Sequence, residues 1–410
     1  MIRSLLQRCL PALLGAVLTL AAPAPGQEPG LTLLAIGDAG ENGRTLRANA
    51  TTMTEMLTGV NDGGVFDLLL FLGDNFYETG LNVPVNDVEG KVKDVLGPFK
   101  EIFEILDRSR VHAIPGNHDY YRTMALETSA LFGLVSISEL PVGHTGRGNE
   151  RARDIPFWTY HAVMPASIVL PLPGGSREAA EIFFVDSALP LRSDPAAWHP
   201  ALDSLARLLR RSAANTSVAW RVLVFHHPIV SMGQHGGYSV WNDETRAVEY
   251  LSNCDKDSNA VAFLKNWLDP QDLCAERYRQ YVDSLRGTIH RGKAKIHLAL
   301  SGHDHSLQLL RSPDPAGCAL CPDVHVISGA GSRPSRVASP RPPSVYTALD
   351  STASKPGLSQ AGFVQLRVTA ENIRVVFFSG KKAERIDMGG GVTEFRVDRE
   401  GRLREVHEAK

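Results

Sequence analysis

Beyond residue 22 the sequence has no long apolar run, it holds only five cysteines, and it has no excess of charge of either sign. The first absence leaves the chain that follows without a membrane-spanning candidate and predicts a soluble protein. The second excludes a disulfide-stapled miniprotein. The third, 43 Lys and Arg against 45 Asp and Glu for a net charge of −2, removes any general electrostatic reason to expect a nucleic acid or an anionic membrane as partner. Charge-driven function must therefore be local. Internal repeats are missing as well. What is present is 410 residues, 43% apolar and 21% charged, enough to bury a large core and too apolar for disorder or a collagen-like chain.

The one long apolar run lies at the start, over residues 10–22, after Arg3 and Arg8 and before Ala22-Pro23-Ala24. It is short for a bilayer span and reads as a secretory signal peptide over residues 1–26, with an uncleaved anchor as the alternative. Its removal takes the net charge from −2 to near −4. A secreted or periplasmic location is expected, with no membrane association after cleavage. Export agrees with the cysteines: Cys9 lies in the leader, and Cys254, Cys274, Cys318 and Cys321 remain. Cys254–Cys274 and Cys318–Cys321 close the shortest loops. The Cys318/Cys321 pair reads as a structural disulfide in a proline-rich loop, with a redox pair or half a zinc site as the alternatives.

One pattern recurs five times: a short β-type apolar run stops at a small cluster of Asp, Asn or His. Residues 31–36 precede Gly37-Asp38, 66–72 precede Gly73-Asp74, and 111–114 precede Gly116-Asn117-His118. Residues 221–225 precede His226-His227, and 296–300 precede Gly302-His303-Asp304-His305. Near-continuous apolar runs suit buried strands, and the amphipathic stretches 92–106 and 201–210 suit helices between them. Sites in open α/β sheets form at the carboxyl ends of strands, so all five ends are expected to converge. Glycine before the polar residue suits a sharp turn and a close backbone approach. Residues 238–291 read as a disulfide-braced insertion, 332–344 as a solvated loop, with contact of Arg333, Arg336 and Arg341 to an anionic substrate as the alternative, and 362–378 and 392–397 as antiparallel strands. The domain limits read as 27–380, with a β extension or tail over 381–410.

The gathered side chains, Asp38, Asp74, Asn117, His226, His303 and His305 with Tyr77 three residues past Asp74, are carboxylate, amide and imidazole donors. Cysteine is absent from the set, which argues against a tetrahedral structural zinc site. Seven donors are too many for one catalytic ion with an open position, so two cations sharing a carboxylate fit better. Such a pair suits in-line displacement at phosphorus.

With these motifs in this order, the chain resembles the calcineurin-like metallophosphoesterases, and more narrowly the small purple, tartrate-resistant type of acid phosphatase, over about residues 31–378. The stretch Gly73-Asp74-Asn75-Phe76-Tyr77 carries the narrow likeness. The resemblance implies an α/β four-layer sandwich of two mixed β-sheets flanked by helices, with a dimetal site at the C-terminal ends of strands. It implies Fe3+ on Asp38, Asp74, Tyr77 and His305, with Asp74 bridging to a divalent ion (Fe2+, Zn2+ or Mn2+) on Asn117, His226 and His303. His118 and His235 take the substrate-side catalytic positions, His227 the pocket wall, and Asp119 and Asp304 support the neighbouring imidazoles. The implied activity is hydrolysis of small-molecule or protein phosphate monoesters by metal-bound hydroxide, in a secreted monomer. A phosphodiesterase or nucleotide phosphohydrolase with two divalent ions is the alternative. The first motif, Gly37-Asp38-Ala39-Gly40, lacks the aromatic residue of small animal members, which leaves the substrate range open.

Overall fold

The structure, a computed structural model, describes residues 29–59, 66–78, 80–81, 85–120, 151–161, 165–192, 195–236, 240–242, 247–249, 271–312, 322–381 and 383–407. The proposed leader, Cys254, Cys318 and Cys321 lie outside these residues, and with them both cysteine pairings. Among the described residues no helix is long and apolar enough to cross a membrane.

The strands are β1 (Leu31–Ile36), β2 (Leu68–Phe71), β3 (Val111–Ala113), β4 (Thr159–Tyr160), β5 (Ala166–Pro171), β6 (Ala179–Phe184), β7 (Val218–Val224), β8 (Val240–Asn242) and β9 (Ala247–Glu249). They continue as β10 (Leu298–Ser301), β11 (Leu307–Arg311), β12 (Val324–Ser328), β13 (Val345–Thr347), β14 (Gly362–Val368), β15 (Asn372–Ser379), β16 (Val392–Asp398) and β17 (Leu403–His407). The helices are α1 (Arg44–Leu57), α2 (Val85–Leu96), α3 (Lys100–Ile105), α4 (Ala188–Leu191), α5 (His199–Ala214) and α6 (Glu276–Gly292). One mixed sheet runs β17-β16-β15-β14-β1-β2-β3-β4 and a second runs β13-β11-β12-β10-β7-β6-β5, while β8 and β9 pair separately.

Alternation along the strands builds the layers. On β1, Leu31, Leu33 and Ala35 point into a core shared with Ile182, Trp220, Val222 and Leu300 of the second sheet. Leu34 and Ile36 point the other way, onto Leu46, Ala50 and Met53 of α1. Because both faces are covered, the run is apolar throughout. The second sheet repeats the arrangement: Phe183 and Leu223 meet Leu202, Leu205 and Leu209 of α5 and Tyr278, Tyr281 and Leu285 of α6. Each such side chain contributes about 1.5–3 kcal/mol by leaving water. The result is the expected four-layer α/β sandwich. The stretch 238–291 ends in α6, which closes the outer layer beside α5, and β16 and β17 extend the first sheet.

Register places the functional loops level with one another. Ile36 lies opposite Phe71 and Phe71 opposite Ala113 in parallel pairs. In the second sheet Phe184 lies opposite Val224, Val224 opposite Leu300, and Leu300 opposite Val326. All these strands therefore end along one edge of the sandwich, and the polar residues two to four positions further on share one location.

Candidate metal centre

The tight turns after the strands set the geometry. Asp38, Asp74 and His303 all hold left-handed backbone, with φ of 55°, 52° and 67°, uncommon for residues other than glycine and tolerated best by short polar side chains. Two glycines make room. Gly73, at φ 95°, packs its α-carbon where a Cβ would strike the His226 ring, and a Cβ on Gly116 would overlap the Asp74 carboxylate. The loops are stitched together by Asp38 N donating to Gly73 O at 3.0 Å and Gly302 N to His226 O at 3.1 Å.

Four of the donors meet at one point. Tyr77 Oη lies 2.9 Å from Asp38 Oδ1, 3.2 Å from Asp74 Oδ2 and 3.0 Å from His305 Nε2. His305 Nε2 is in turn 3.4 Å from Asp38 Oδ1. Beside this group, Asn117 Oδ1 lies 3.1 Å from His226 Nε2 and 3.0 Å from His303 Nδ1. Asp74 faces both: Oδ2 looks to Tyr77, while Oδ1 stands 3.4 Å from His226 Nε2. All seven residues nominated as metal ligands are thus brought together, in the two groups expected, with Asp74 between them.

The hydrogen bonds around the second group test whether it suits a cation. His226 Nδ1 donates to Leu72 O at 2.7 Å and His303 Nε2 to Gln271 O at 2.6 Å. A carbonyl only accepts, so the protons sit on those nitrogens and the opposite nitrogens turn toward Asn117 Oδ1, itself an acceptor. Lone pairs converging on one buried point call for a cation, or a proton in its place. The backbone carbonyl behind each imidazole is the partner that orients metal-ligating histidines. Oxygen and nitrogen donors without cysteine fit borderline or hard cations.

Proton affinities follow the same map. Burial opposes ionisation of Asp74, but His226 and His118 outweigh it and hold the carboxyl well below its usual range. Burial likewise disfavours His226 as a cation, yet Asp74 lifts it to about 9. Burial, with the neighbouring Asp38 and Asp74 carboxylates, pushes the Tyr77 phenol well above its usual value. His303 is held neutral by burial and by the surrounding imidazoles His227, His235 and His226.

The two expected catalytic histidines flank the centre. His118 packs edge-on to Tyr77 with ring centroids 4.7 Å apart, and its Nδ1 donates to Glu78 O at 2.8 Å. His235 lies 4.5 Å from the His303 ring and 6.1 Å from the His305 ring, and its Nδ1 is 2.8 Å from Asp272 Oδ1. Burial works against a charge on His235, but the bond to Asp272 outweighs it and raises the imidazole's proton affinity. His227 is buried against His303 at 4.4 Å, with Nδ1 2.9 Å from Ser187 Oγ. Donor atoms of His226, His227 and His303 all lie within 4.8 Å of one another, so this wall residue is itself within reach of the centre. Asp119 and Asp304 differ from expectation in what they hold. Asp119 accepts from Asn75 Nδ2 at 2.8 Å and Gly116 N at 2.9 Å, and Asp304 from Ser231 Oγ at 2.5 Å and Gly236 N at 3.0 Å, so both fix loops rather than imidazoles directly.

Sequence reasoning passed over Asp186-Ser187 and Asp272, and set Arg333 second to a solvated loop. Asp186-Ser187 follow β6 as a sixth polar strand end, with the same apolar run before them but no glycine or histidine to mark it. Asp272 sits in the stretch taken as an insertion. Arg333, assigned to a solvated loop, lies over the Tyr77 ring at 4.4 Å and pairs with Glu78 at 2.5 Å and with Glu41.

A family profile described as calcineurin-like phosphoesterase matches residues 31–307, more than half of the chain. The chain belongs to the calcineurin-like phosphoesterases. The family binds a dimetal centre and hydrolyses phosphoesters, in agreement with the clustered donors. Among solved structures the fold is similar to that of GAP50, the anchor in the inner membrane complex of Plasmodium, at 15% identity over 88% of this chain and 90% of that one, with a TM-score of 0.52. It is similar also to PhoD, at 12% identity over 95% of this chain and 74% of that one, with a TM-score of 0.50. At such identities the likeness is one of fold. No curated protein matches the chain.

Proposed function

We propose that this calcineurin-like phosphoesterase is a phosphomonoesterase of the purple acid phosphatase type, secreted or periplasmic, acting on small-molecule or protein phosphomonoesters. The observation that carries the reading is Tyr77, whose hydroxyl stands within 3.2 Å of Asp38, Asp74 and His305. A phenol wedged between two carboxylates and an imidazole, and disfavoured there as an anion, suits a hard trivalent cation that accepts it as tyrosinate. Asp38, Asp74, Tyr77 and His305 would hold Fe3+, and Asp74, Asn117, His226 and His303 a divalent ion, Fe2+, Zn2+ or Mn2+. When bound, such a pair neutralises phosphoryl oxygens and acidifies a water for in-line attack.

The chain's own residues favour a monoester. His118, fixed through Glu78 O, keeps Nε2 turned toward the centre, 4.0 Å from Asp74 Oδ2. His235, made more basic by Asp272, is well placed to bind a phosphate oxygen and to protonate the leaving alkoxide. Two imidazoles meet the charge of a monoester dianion, whereas a diester offers a single charge. The secreted location rests on the leader-like residues 1–26. The test is the visible spectrum of the purified protein together with its rates on p-nitrophenyl phosphate and bis(p-nitrophenyl) phosphate. A charge-transfer band that disappears in Tyr77→Phe, with the monoester hydrolysed faster, is expected. A colourless, active enzyme that prefers the diester would falsify the reading.

A further inference from the structure

Strand register aligns four arginines in a row on the outer face of the first sheet. Arg367 on β14 lies directly opposite Arg374 on β15, Arg374 opposite Arg396 on β16, and Arg396 opposite Arg404 on β17. Their neighbours Ile373, Val375, Phe395 and Val397 point into the core between the sheets, so the arginines face away from it. At the usual strand spacing the row spans roughly 14 Å.

Like charges directly opposite one another destabilise a sheet, and the carboxylates beside the row offset them in part. Glu394 is a single buried carboxylate touched by Arg374 at 2.7 Å, Arg396 at 3.0 Å and Arg385 at 3.6 Å. Arg367 reaches Thr32 Oγ1 at 3.4 Å and feels the nearby Asp67 carboxylate. Arg404 is exposed and has no partner among the described residues. Next to the row a recess of about 370 Å³ is lined by Arg396, Arg399, Arg402 and Arg404 together with three carboxylates, Glu371, Asp398 and Glu400. Two of these arginines are occupied, Arg402 by Asp398 and Glu400, and Arg399 by Glu178. Arg396 gives its Nε to Glu394 and keeps its two terminal nitrogens for a ligand, and the whole Arg404 guanidinium is left to face one.

We propose that this row and its recess form a docking site for a flexible chain of closely spaced phosphates, separate from the metal centre and independent of the reading above. Planar guanidinium forks match phosphate oxygens bidentately. The half-buried Arg374, 23% exposed, is reached by a thin chain and not by a flat bilayer. No aromatic side chain lines the recess to stack a base, which argues against single-stranded nucleic acid.

The experiment measures binding of the full-length protein to immobilised inorganic polyphosphate across a salt series. Arg396→Gln/Arg404→Gln is compared with the charge-matched Arg207→Gln/Arg210→Gln on α5. The expected result is an affinity at least about tenfold weaker at low salt for the first pair, with a slope of log affinity against log salt smaller by about 1.5, and wild-type binding for the second. Because both positions in the first pair are exposed and the change relieves repulsion, the melting temperature is expected to hold or rise, which separates lost docking from lost folding. Equal losses in both pairs, or none in either, overturn the proposal. So does capture by phosphatidylglycerol–phosphatidylcholine vesicles, or by a single-stranded oligonucleotide, with no retention on polyphosphate.

Discussion

Asp74 Oδ1 stands 3.4 Å from His226 Nε2, both wholly buried, and each has reset the other's proton affinity: the carboxyl is held well below its usual range and the imidazole rises to about 9. The proton on His226 therefore occupies the place of a cation. Binding of the divalent ion must expel it, and below about pH 9 that release makes the affinity of that ion climb with pH by about tenfold per unit. Competition with a chelator between pH 6 and 8 measures this. A flat profile would show that His226 is not displaced.

Gly116 is closed to any side chain by the Asp74 carboxylate and backbone nitrogen. Gly116→Ala is expected to force the two strand-end loops apart, costing about 1–3 kcal/mol of stability and most of the bound metal. Thermal unfolding with metal analysis checks both. Unchanged metal content would mean that the loops are less tightly apposed than described.

Arg333 bridges the mouth, pairing with Glu41 and Glu78 over Tyr77. Surface pairs contribute little stability, about 0–1 kcal/mol, so Arg333→Ala should melt near the wild-type temperature. It leaves the Glu41 and Glu78 carboxylates without their guanidinium where an anionic substrate enters. KM for a phosphate monoester is expected to rise, by about threefold to tenfold at low salt and less at high salt, with kcat little altered. Steady-state kinetics at two ionic strengths decide it.

Three buried histidines set an acid limit on stability. Burial lowers His112 to about 4, His297 to about 3 and His325 to about 3. Unfolded, each would titrate near 6.5. Between the two values the unfolded chain binds more protons, so stability is complete above about pH 6.5 and falls as pH drops toward 4, by on the order of 1–2 kcal/mol per histidine. Urea midpoints at pH 7 and pH 4.5 measure the loss, and His325→Asn should shrink the difference. Equal midpoints would contradict the assignment of these rings as neutral.

The five glycine- or histidine-marked strand ends were legible because strands covered on both faces read as continuous apolar runs, and each run stopped at a residue that a buried strand does not tolerate. The run before Asp186-Ser187 obeys the same rule but carries neither mark. Of the three arginines in the loop, the sequence does not single out Arg333, for a different reason. Its position depends on the loop after β12 bonding to the end of β1, Gly331 N to Gly37 O at 3.2 Å, and to the loop after β10, Ser335 N to His305 O at 2.7 Å, and no local pattern encodes such contacts. The edge strand β17 was read only as part of a β extension or tail, because only Leu403 packs against the core. The arginine row is likewise invisible in sequence, since its members are scattered over 38 positions and only antiparallel register lines them up.

The central claim is that two cation sites share Asp74. Metal analysis of protein purified without chelator, set beside Asn117→Ala and Asp74→Ala, tests it most directly. Two ions per chain in the native protein, about one in Asn117→Ala and fewer still in Asp74→Ala, is the predicted outcome. One ion per native chain, or two that persist when Asp74 is replaced, contradicts it.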